Sequence, residues 1–173
     1  FFATTHSIPD SHGIIITTPN GKIVETGDFK FDLTPIGPMS NIHKMADTGK
    51  EGVRLLMSES TNALSKGFSM SESVVGKTMD TLFNKYRDKR IFIATFSSNV
   101  HRLQQIIDLA VKYRRKVALS GRSMFKVVEA AVKIGELKIP EGVLIDIEKT
   151  KNLFDGELLI VSTGTQGEPM SAL

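Results

Sequence analysis

Residues 90–123 read Arg-Ile-Phe-Ile-Ala-Thr-Phe-Ser-Ser-Asn-Val-His-Arg-Leu-Gln-Gln-Ile-Ile-Asp-Leu-Ala-Val-Lys-Tyr-Arg-Arg-Lys-Val-Ala-Leu-Ser-Gly-Arg-Ser. The stretch opens as a strand over 90–96, runs as a helix over 99–113, returns to a strand over 116–120 and turns at Gly121 into a helix over 123–134. Strands alternating with helices at this spacing predict a parallel sheet covered by helices, because parallel neighbours need a crossover connection and a helix is the usual one. Upstream, Ser69 and Glu72 have the spacing of a capping box and open a helix through about residue 86. Downstream, 143–147 and 157–163 supply two more strands.

Open parallel sheets bind ligands beyond the carboxyl ends of their strands. Here those ends lead into Ser97-Ser98-Asn99, Ser120-Gly121-Arg122-Ser123 and Ser162-Thr163-Gly164-Thr165-Gln166-Gly167. Small hydroxyl side chains and exposed backbone N–H groups at helix starts suit phosphate oxygens, so three such loops on one edge predict a phosphate-binding rim. Ordinary turn and N-cap chemistry is expected to account for at least one of them.

The N-terminal third has a different grammar. The β-branched runs 12–18 and 22–26 are joined by Pro19-Asn20-Gly21, and Asn-Gly between two such runs signals a hairpin. Gly27-Asp28 closes the second strand, so Asp28 is placed at a strand end beside a tight turn. Residues 1–5 form another strand with His6 at its end, 40–50 a short helix, and 53–57 a buried strand leading into Ser58-Glu59-Ser60. The change of pattern places a lobe boundary near residues 64–72.

Composition narrows the chemistry. The 173 residues are 40% hydrophobic and 24% charged, the balance of a chain that buries a core rather than a disordered one. There is no cysteine, so any metal must be held by His, Asp and Glu. A reducing, cytoplasmic setting fits that absence. Apolar runs fall far short of the roughly 20 residues a membrane helix needs. Phe1 stands where an initiator methionine would, and residues 167–173 resemble the first turn of a helix, so a cut at both ends is expected. The net charge of +3 hides a basic stretch: residues 85–126 hold eleven Lys and Arg against only Asp88 and Asp108. Such an excess favours a polyanion such as nucleic acid, with a solvated helix surface as the equal alternative.

Of the four histidines, His6 stands apart because it lies in Thr-His-Ser-Ile-Pro-Asp at one strand end while Asp28 lies in Gly-Asp-Phe-Lys-Phe-Asp at another. An imidazole and a carboxylate brought together there suit zinc or manganese, but two ligands do not make a catalytic zinc site.

The strings His6-Ser-Ile-Pro-Asp10, Gly27-Asp-Phe-Lys-Phe-Asp32, Ser58-Glu-Ser-Thr-Asn62, Ser97-Ser-Asn-Val-His-Arg-Leu-Gln-Gln105, Gly121-Arg-Ser-Met124 and Ser162-Thr-Gly-Thr-Gln-Gly-Glu-Pro-Met170 run nearly end to end. Together they resemble the ribonuclease J family, in the β-CASP group of metallo-β-lactamase-fold nucleases. The resemblance implies an α/β fold with part of a metallo-β-lactamase αββα lobe over residues 1–68 and part of a β-CASP lobe, a mostly parallel sheet flanked by helices, over 69–173. By the same resemblance His6 and Asp28 are metal ligands, with Asp28 bridging two zinc ions, manganese or magnesium being the alternatives. Glu59 is then the acidic residue of the first β-CASP motif and orients the site. Asp10 and Asp32 share these strings but are assigned to turn capping. Ser98, Asn99, Arg122 and Ser123 are candidates for a pocket that takes a 5′ monophosphate, and His101 and Arg102 for RNA contacts.

The implied activity is 5′-to-3′ exoribonuclease and endoribonuclease cleavage of phosphodiester bonds by a metal-bound hydroxide. RNA is the implied partner, with a homo-oligomer and RNA-degradation machinery expected around the longer protein. The family's His-x-His-x-Asp-His cluster occurs nowhere in the chain. It is expected before residue 1, with two later histidine motifs after residue 173, so the chain alone is expected to bind zinc poorly and hydrolyse nothing. Two other readings stay open: an RNA- or nucleotide-binding module without catalysis, which leaves the His6 and Asp28 strings coincidental, and a small-molecule hydrolase of the same superfamily, which leaves the basic stretch unexplained.

Overall fold

The computed structural model describes residues 1–163, in two compact units, the first Phe1–Val74 and the second beginning at Val75. The expected helical turn at 167–173 and the string beyond Thr163 lie outside the described residues.

The first unit is a four-stranded sheet in the order β1 (Phe2–Ala3), β2 (His12–Thr18), β3 (Gly21–Glu25), β4 (Val53–Met57). The Asn-Gly turn closes the β2–β3 hairpin with Thr18 opposite Gly21. β1 is antiparallel to β2, with Phe2 opposite Gly13. Gly13 is required there, because a Cβ on it would lie 2.2 Å from Cζ of the Phe2 ring. β4 pairs parallel to β3, and the crossover that parallel pairing demands contains α1 (Ile42–Glu51). Asn41 caps α1, its Oδ1 accepting the Lys44 N–H at 3.0 Å. The apolar run 53–57 predicts a buried strand, and here the structure differs: all five residues of β4, which stands at the edge of the sheet, are exposed, Leu56 at 61%.

The second unit is an all-parallel sheet, ordered β5 (Ile91–Ala94), β8 (Leu158–Ser162), β6 (Lys116–Ser120), β7 (Leu144–Ile145). Its helices are α2 (Glu72–Lys85), α3 (Val100–Lys112) and α4 (Arg122–Lys133). Phe83 of α2, Leu103, Ile106 and Ile107 of α3, and Met124 and Val128 of α4 share one core with Val117, Leu119, Leu159 and Val161 of the central strands. The alternate strand residues point to the opposite face, which is closed at Ala118 and Leu158 and open at Phe92. The three α-helices pack against the sheet face that carries Val117, Leu119, Leu159 and Val161.

The start of α2 differs from the capping-box expectation. The helix begins at Glu72 itself, and the Glu72 N–H is taken at 3.0 Å by Oδ2 of Asp32, forty residues upstream. Asp32 also accepts the Thr34 N–H at 3.0 Å and pairs with the Lys30 ammonium at 3.3 Å. Burial alone would raise the Asp32 pKa, but the Glu72 and Thr34 amides and Lys30 outweigh it and hold the carboxyl at about 2.

Arg115 differs more sharply from a solvated cation. It is 2% exposed, and its guanidinium donates to the carbonyls of Tyr86 (2.8 Å), Lys89 (2.9 Å), Leu158 (3.0 Å) and Arg87 (3.2 Å). Three of these carbonyls follow the last residue of α2, where backbone acceptors lack helical partners and a cation also meets the negative end of the helix dipole. Arg114 beside it takes φ +55° to end α3, a conformation that Gly135 supplies after α4 without cost to a side chain.

Arg115→Met should destabilise the protein by about 3 kcal/mol in urea unfolding, because several buried carbonyls lose their donor. Arg115→Lys should recover less than half of that, a lysine being unable to span the fork. Arg114→Gly should raise stability by about 0.5–1 kcal/mol. The Asp32 carboxyl titrates below its ordinary 3.8, so its contribution is complete above that pH and lost as pH falls through about 2. Amide exchange at Glu72 should report a loss of roughly 2 kcal/mol over that window. Asp32→Asn should abolish this acid step, and an unchanged acid profile would remove Asp32 from the role.

Candidate functional site

In the first unit, β1, β3 and β4 run in one direction and β2 in the other. Three chain segments therefore leave the sheet at the same edge: His6 follows β1, Gly27-Asp28 follows β3, and Glu59 follows β4. The structure brings His6 and Asp28 together, with Nε2 of His6 3.9 Å from Oδ2 of Asp28. That separation is wider than a hydrogen bond. The Asp28 carboxylate is open at 70% exposure while the imidazole is mostly covered at 27%.

The segments that carry these groups are fastened by buried hydroxyls. Thr4 donates its N–H to the Ser11 carbonyl at 2.9 Å, and its hydroxyl donates to Ser11 Oγ at 3.0 Å. Thr5 and Ser40 bond each other three times: the Thr5 N–H donates to Ser40 Oγ at 2.8 Å, the Ser40 N–H to Thr5 Oγ1 at 3.0 Å, and the Ser40 hydroxyl to Thr5 Oγ1 at 3.1 Å. The backbone on both sides of His6 is held in turn, since the Lys30 N–H donates to the Thr5 carbonyl at 2.9 Å. Nδ1 of His6 accepts the Ile8 N–H at 3.3 Å, a bond within its own turn that holds the ring with Nε2 towards Asp28. Glu59 is half-buried and folds back on its own turn, its carboxylate accepting the Thr61 N–H. Asp10 sits at φ +59° in its turn and pairs with His12 at 3.5 Å, apart from the His6–Asp28 pair.

Among the described residues, no group of three or more His, Asp and Glu could hold a metal ion. His6 and Asp28 are a donor pair whose chemistry suits a divalent cation and which by itself is an incomplete ligand set.

In the second unit, Ala94, Ser162 and Ser120 lie at one level at the carboxyl ends of β5, β8 and β6. The three loops therefore open along one edge, the third described only to Thr163. Asn99 is spent locally: it is buried, and its Oδ1 caps α3 by accepting the Arg102 N–H at 3.1 Å. Ser98 is exposed in the same turn, and His101 and Arg102 are half-buried in the first turn of α3. Arg122 and Ser123 are exposed in the first turn of α4, whose N-cap is Gly121 at φ +101° with no side chain bonded to the helix amides. A helix start left open in this way can accept an anion.

The basic stretch is less open than its sequence suggests. Lys112 pairs with Asp80 at 2.7 Å, Arg90 with Asp155 at 3.0 Å and Lys89 with Asp88 at 2.9 Å. Two of these partners lie outside the stretch in sequence. The Lys112 ammonium and then the Tyr113 hydroxyl hold the Asp80 carboxyl below the usual carboxylate range. With Arg115 consumed as a clamp, Arg114, Arg122 and Lys126 form no ion pair among the described residues. A charge reversal at Arg115 would therefore read stability rather than binding. The sequence reading also passed over Thr26 and the Thr5–Ser40 pair; the only signal for Thr26 was its place directly before Gly27-Asp28.

Comparison with known proteins fits this layout. Residues 88–173 match the family model described as ribonuclease J, beta-CASP domain. The whole chain is 49% identical to Ribonuclease J 1 of Streptococcus pyogenes, covering 31% of that protein. It is 47% identical over 99% of its length to Ribonuclease J of Thermus thermophilus, covering 30% of it. Against Ribonuclease J of Helicobacter pylori it is 44% identical over 98% of its length and covers 24%. The chain thus spans under a third of the length of these relatives. A protein of unknown function from Enterococcus faecalis V583 shares the fold, with a TM-score of 0.65 at 16% identity over 92% of this chain and 40% of that one. Residues 88–173 are thus similar to the beta-CASP domain of ribonuclease J, and the whole chain is similar to a segment of the ribonuclease J proteins.

Proposed function

We propose that this chain serves RNA hydrolysis, supplying part of a metal-dependent phosphodiesterase site and an RNA-binding edge to a longer protein. The observation that carries the reading is the approach of His6 Nε2 to Asp28 Oδ2, 3.9 Å apart at the common edge of β1 and β3, in a chain whose relatives bear the name ribonuclease J. On this reading the first unit is part of a metallo-β-lactamase lobe. His6 and Asp28 would hold the metal, zinc first and manganese or magnesium otherwise, with the remaining ligands supplied from elsewhere in the longer protein. Bound there, the metal supplies a water of pKa lowered to about 7 and positive charge opposite the scissile phosphate.

The chain's own groups have separable tasks. Asp28 presents an open carboxylate from a turn that cannot swing freely, since Gly27 donates its N–H to Glu25 Oε1 at 3.0 Å. Glu59, drawn back by the Thr61 N–H, offers a second carboxylate at the same edge and orients rather than ligates. The open first turn of α4, with Arg122 and Ser123, together with Ser98 receives RNA phosphates, including a 5′ monophosphate, while Asn99 serves only by capping α3 beneath that turn. His101 and Arg102 contact the strand alongside. The reading extends to 5′-to-3′ exonuclease and internal cleavage, to a cytoplasmic homo-oligomer, and to work beside other RNA-degrading proteins. No helix among the described residues is long and apolar enough to cross a membrane. Alone, with two donors, the chain should neither retain zinc nor cut RNA.

In the full-length protein, Asp28→Ala should lower the rate of RNA cleavage by about 10³-fold or more while RNA affinity stays within about threefold, the pattern of a group needed in the transition state. Cleavage retained under controlled zinc would reject the metal role and favour a binding module. Arg122→Glu should weaken RNA binding and reduce the slope of log affinity against log salt by about one. An unchanged slope would mean that this residue touches no phosphate.

A further inference from the structure

We propose that Thr26 is a positioning residue for the acidic pair Asp28 and Glu59, acting through one buried hydroxyl shared by the two turns that carry them. The inference rests on the reading of that edge as a hydrolytic metal site, and adds to it a residue that touches neither metal nor RNA.

Thr26 is 4% exposed and directly follows β3. Its N–H donates to the Met57 carbonyl at 3.1 Å, which extends the β3–β4 ladder by one residue. Its hydroxyl donates to the Gly27 carbonyl at 2.8 Å and accepts the Glu59 N–H at 3.3 Å. A hydroxyl can do both at once, having one proton and two lone pairs. The result is a single atom bonded to the peptide that leads into Asp28 and to the amide of Glu59, thirty-three residues away in sequence.

The surroundings leave this atom little freedom. A β-branched side chain is stiff about its first torsion. Gly27 is pinned by Glu25 Oε1 and sits at φ +60°, where an added Cβ would stand 3.1 Å from the His12 carbonyl oxygen. The Asp28 carbonyl is approached in turn by Ser11 Oγ at 3.5 Å. A turn fixed on one side by Glu25 and on the other by Thr26 presents its carboxylate at a set height above the strand ends. The same hydroxyl brings the Glu59 backbone to that level. Valine would keep the shape of threonine while removing the bond to both turns, and serine would keep the bond while losing a methyl group.

The test compares Thr26→Val, Thr26→Ser and Asp28→Ala in the full-length protein. Thr26→Val should lower kcat by about 10–100-fold, the range for a residue that orients a metal ligand from behind, with KM for RNA within about twofold. Zinc affinity from chelator competition should fall by about tenfold, and the Glu59 amide should exchange with solvent faster. Thr26→Ser should restore kcat to within about threefold. A Thr26→Val protein with unchanged kcat and zinc affinity overturns the proposal. So does a Thr26→Ser protein as impaired as the valine variant, since packing rather than the hydroxyl would then matter. If Asp28→Ala is fully active, the metal reading falls first; if Asp28→Ala is inactive and Thr26→Val is not, only the role of Thr26 falls.

Discussion

The common direction of β1, β3 and β4 is the constraint on which the candidate site depends. A strand delivers its following residue to one edge of a sheet only, so three groups distant in sequence meet at one edge only if their strands run the same way. β2 makes this possible by running back between β1 and β3, and the crossover through α1 does the same service between β3 and β4. Each is an ordinary local solution, one a tight Asn-Gly hairpin and the other a helix with an asparagine cap. Together they place an imidazole and two carboxylates beyond the ends of strands whose side chains need no chemistry of their own.

The second unit applies the rule with four parallel strands and divides labour between the ends of its sheet. β8 enters between β5 and β6 and aligns three carboxyl ends, of which those of β5 and β6 open into serine- and glycine-bearing turns. At the amino end the guanidinium of Arg115 gathers the carbonyls that α2 leaves unsatisfied together with the first carbonyl of β8. The buried hydrogen bonds of Arg115 are thus gathered at one end, and the turns after β5 and β6 stand at the other. The cation richest in hydrogen bonds is buried at the end away from the open turns, which is why a count of charges along residues 85–126 overstates what is available to a polyanion.

Much of this was legible because it is local. The hairpin, the short helix over 40–50 and the alternation after residue 90 rest on periodicity and turn chemistry within a few residues. What escaped rests on partners far away in sequence. An apolar run says that a strand wants cover, not that it will stand at an edge, so the exposure of β4 was hidden. Ser69 and Glu72 have a capping spacing, yet Asp32 reaches the helix first from another loop. Arg115 reads as one more positive charge until Tyr86, Lys89 and Leu158 surround it. His6 and Asp28 were found because both end strands; Thr26 was not, because nothing in Val-Glu-Thr-Gly-Asp says that its hydroxyl will meet an amide from the turn after β4.

The bare outer side of β4 has a practical meaning. Val53, Leu55, Leu56 and Met57 are all exposed on a strand whose second row of amides and carbonyls has no neighbour among the described residues, and such a border invites another strand to dock against it. In a test tube, concentration becomes the enemy: molecules meeting along this border would build intermolecular ladders and drift out of solution. A lysine at Leu56, aimed into solvent, is the least invasive remedy for keeping the chain dispersed.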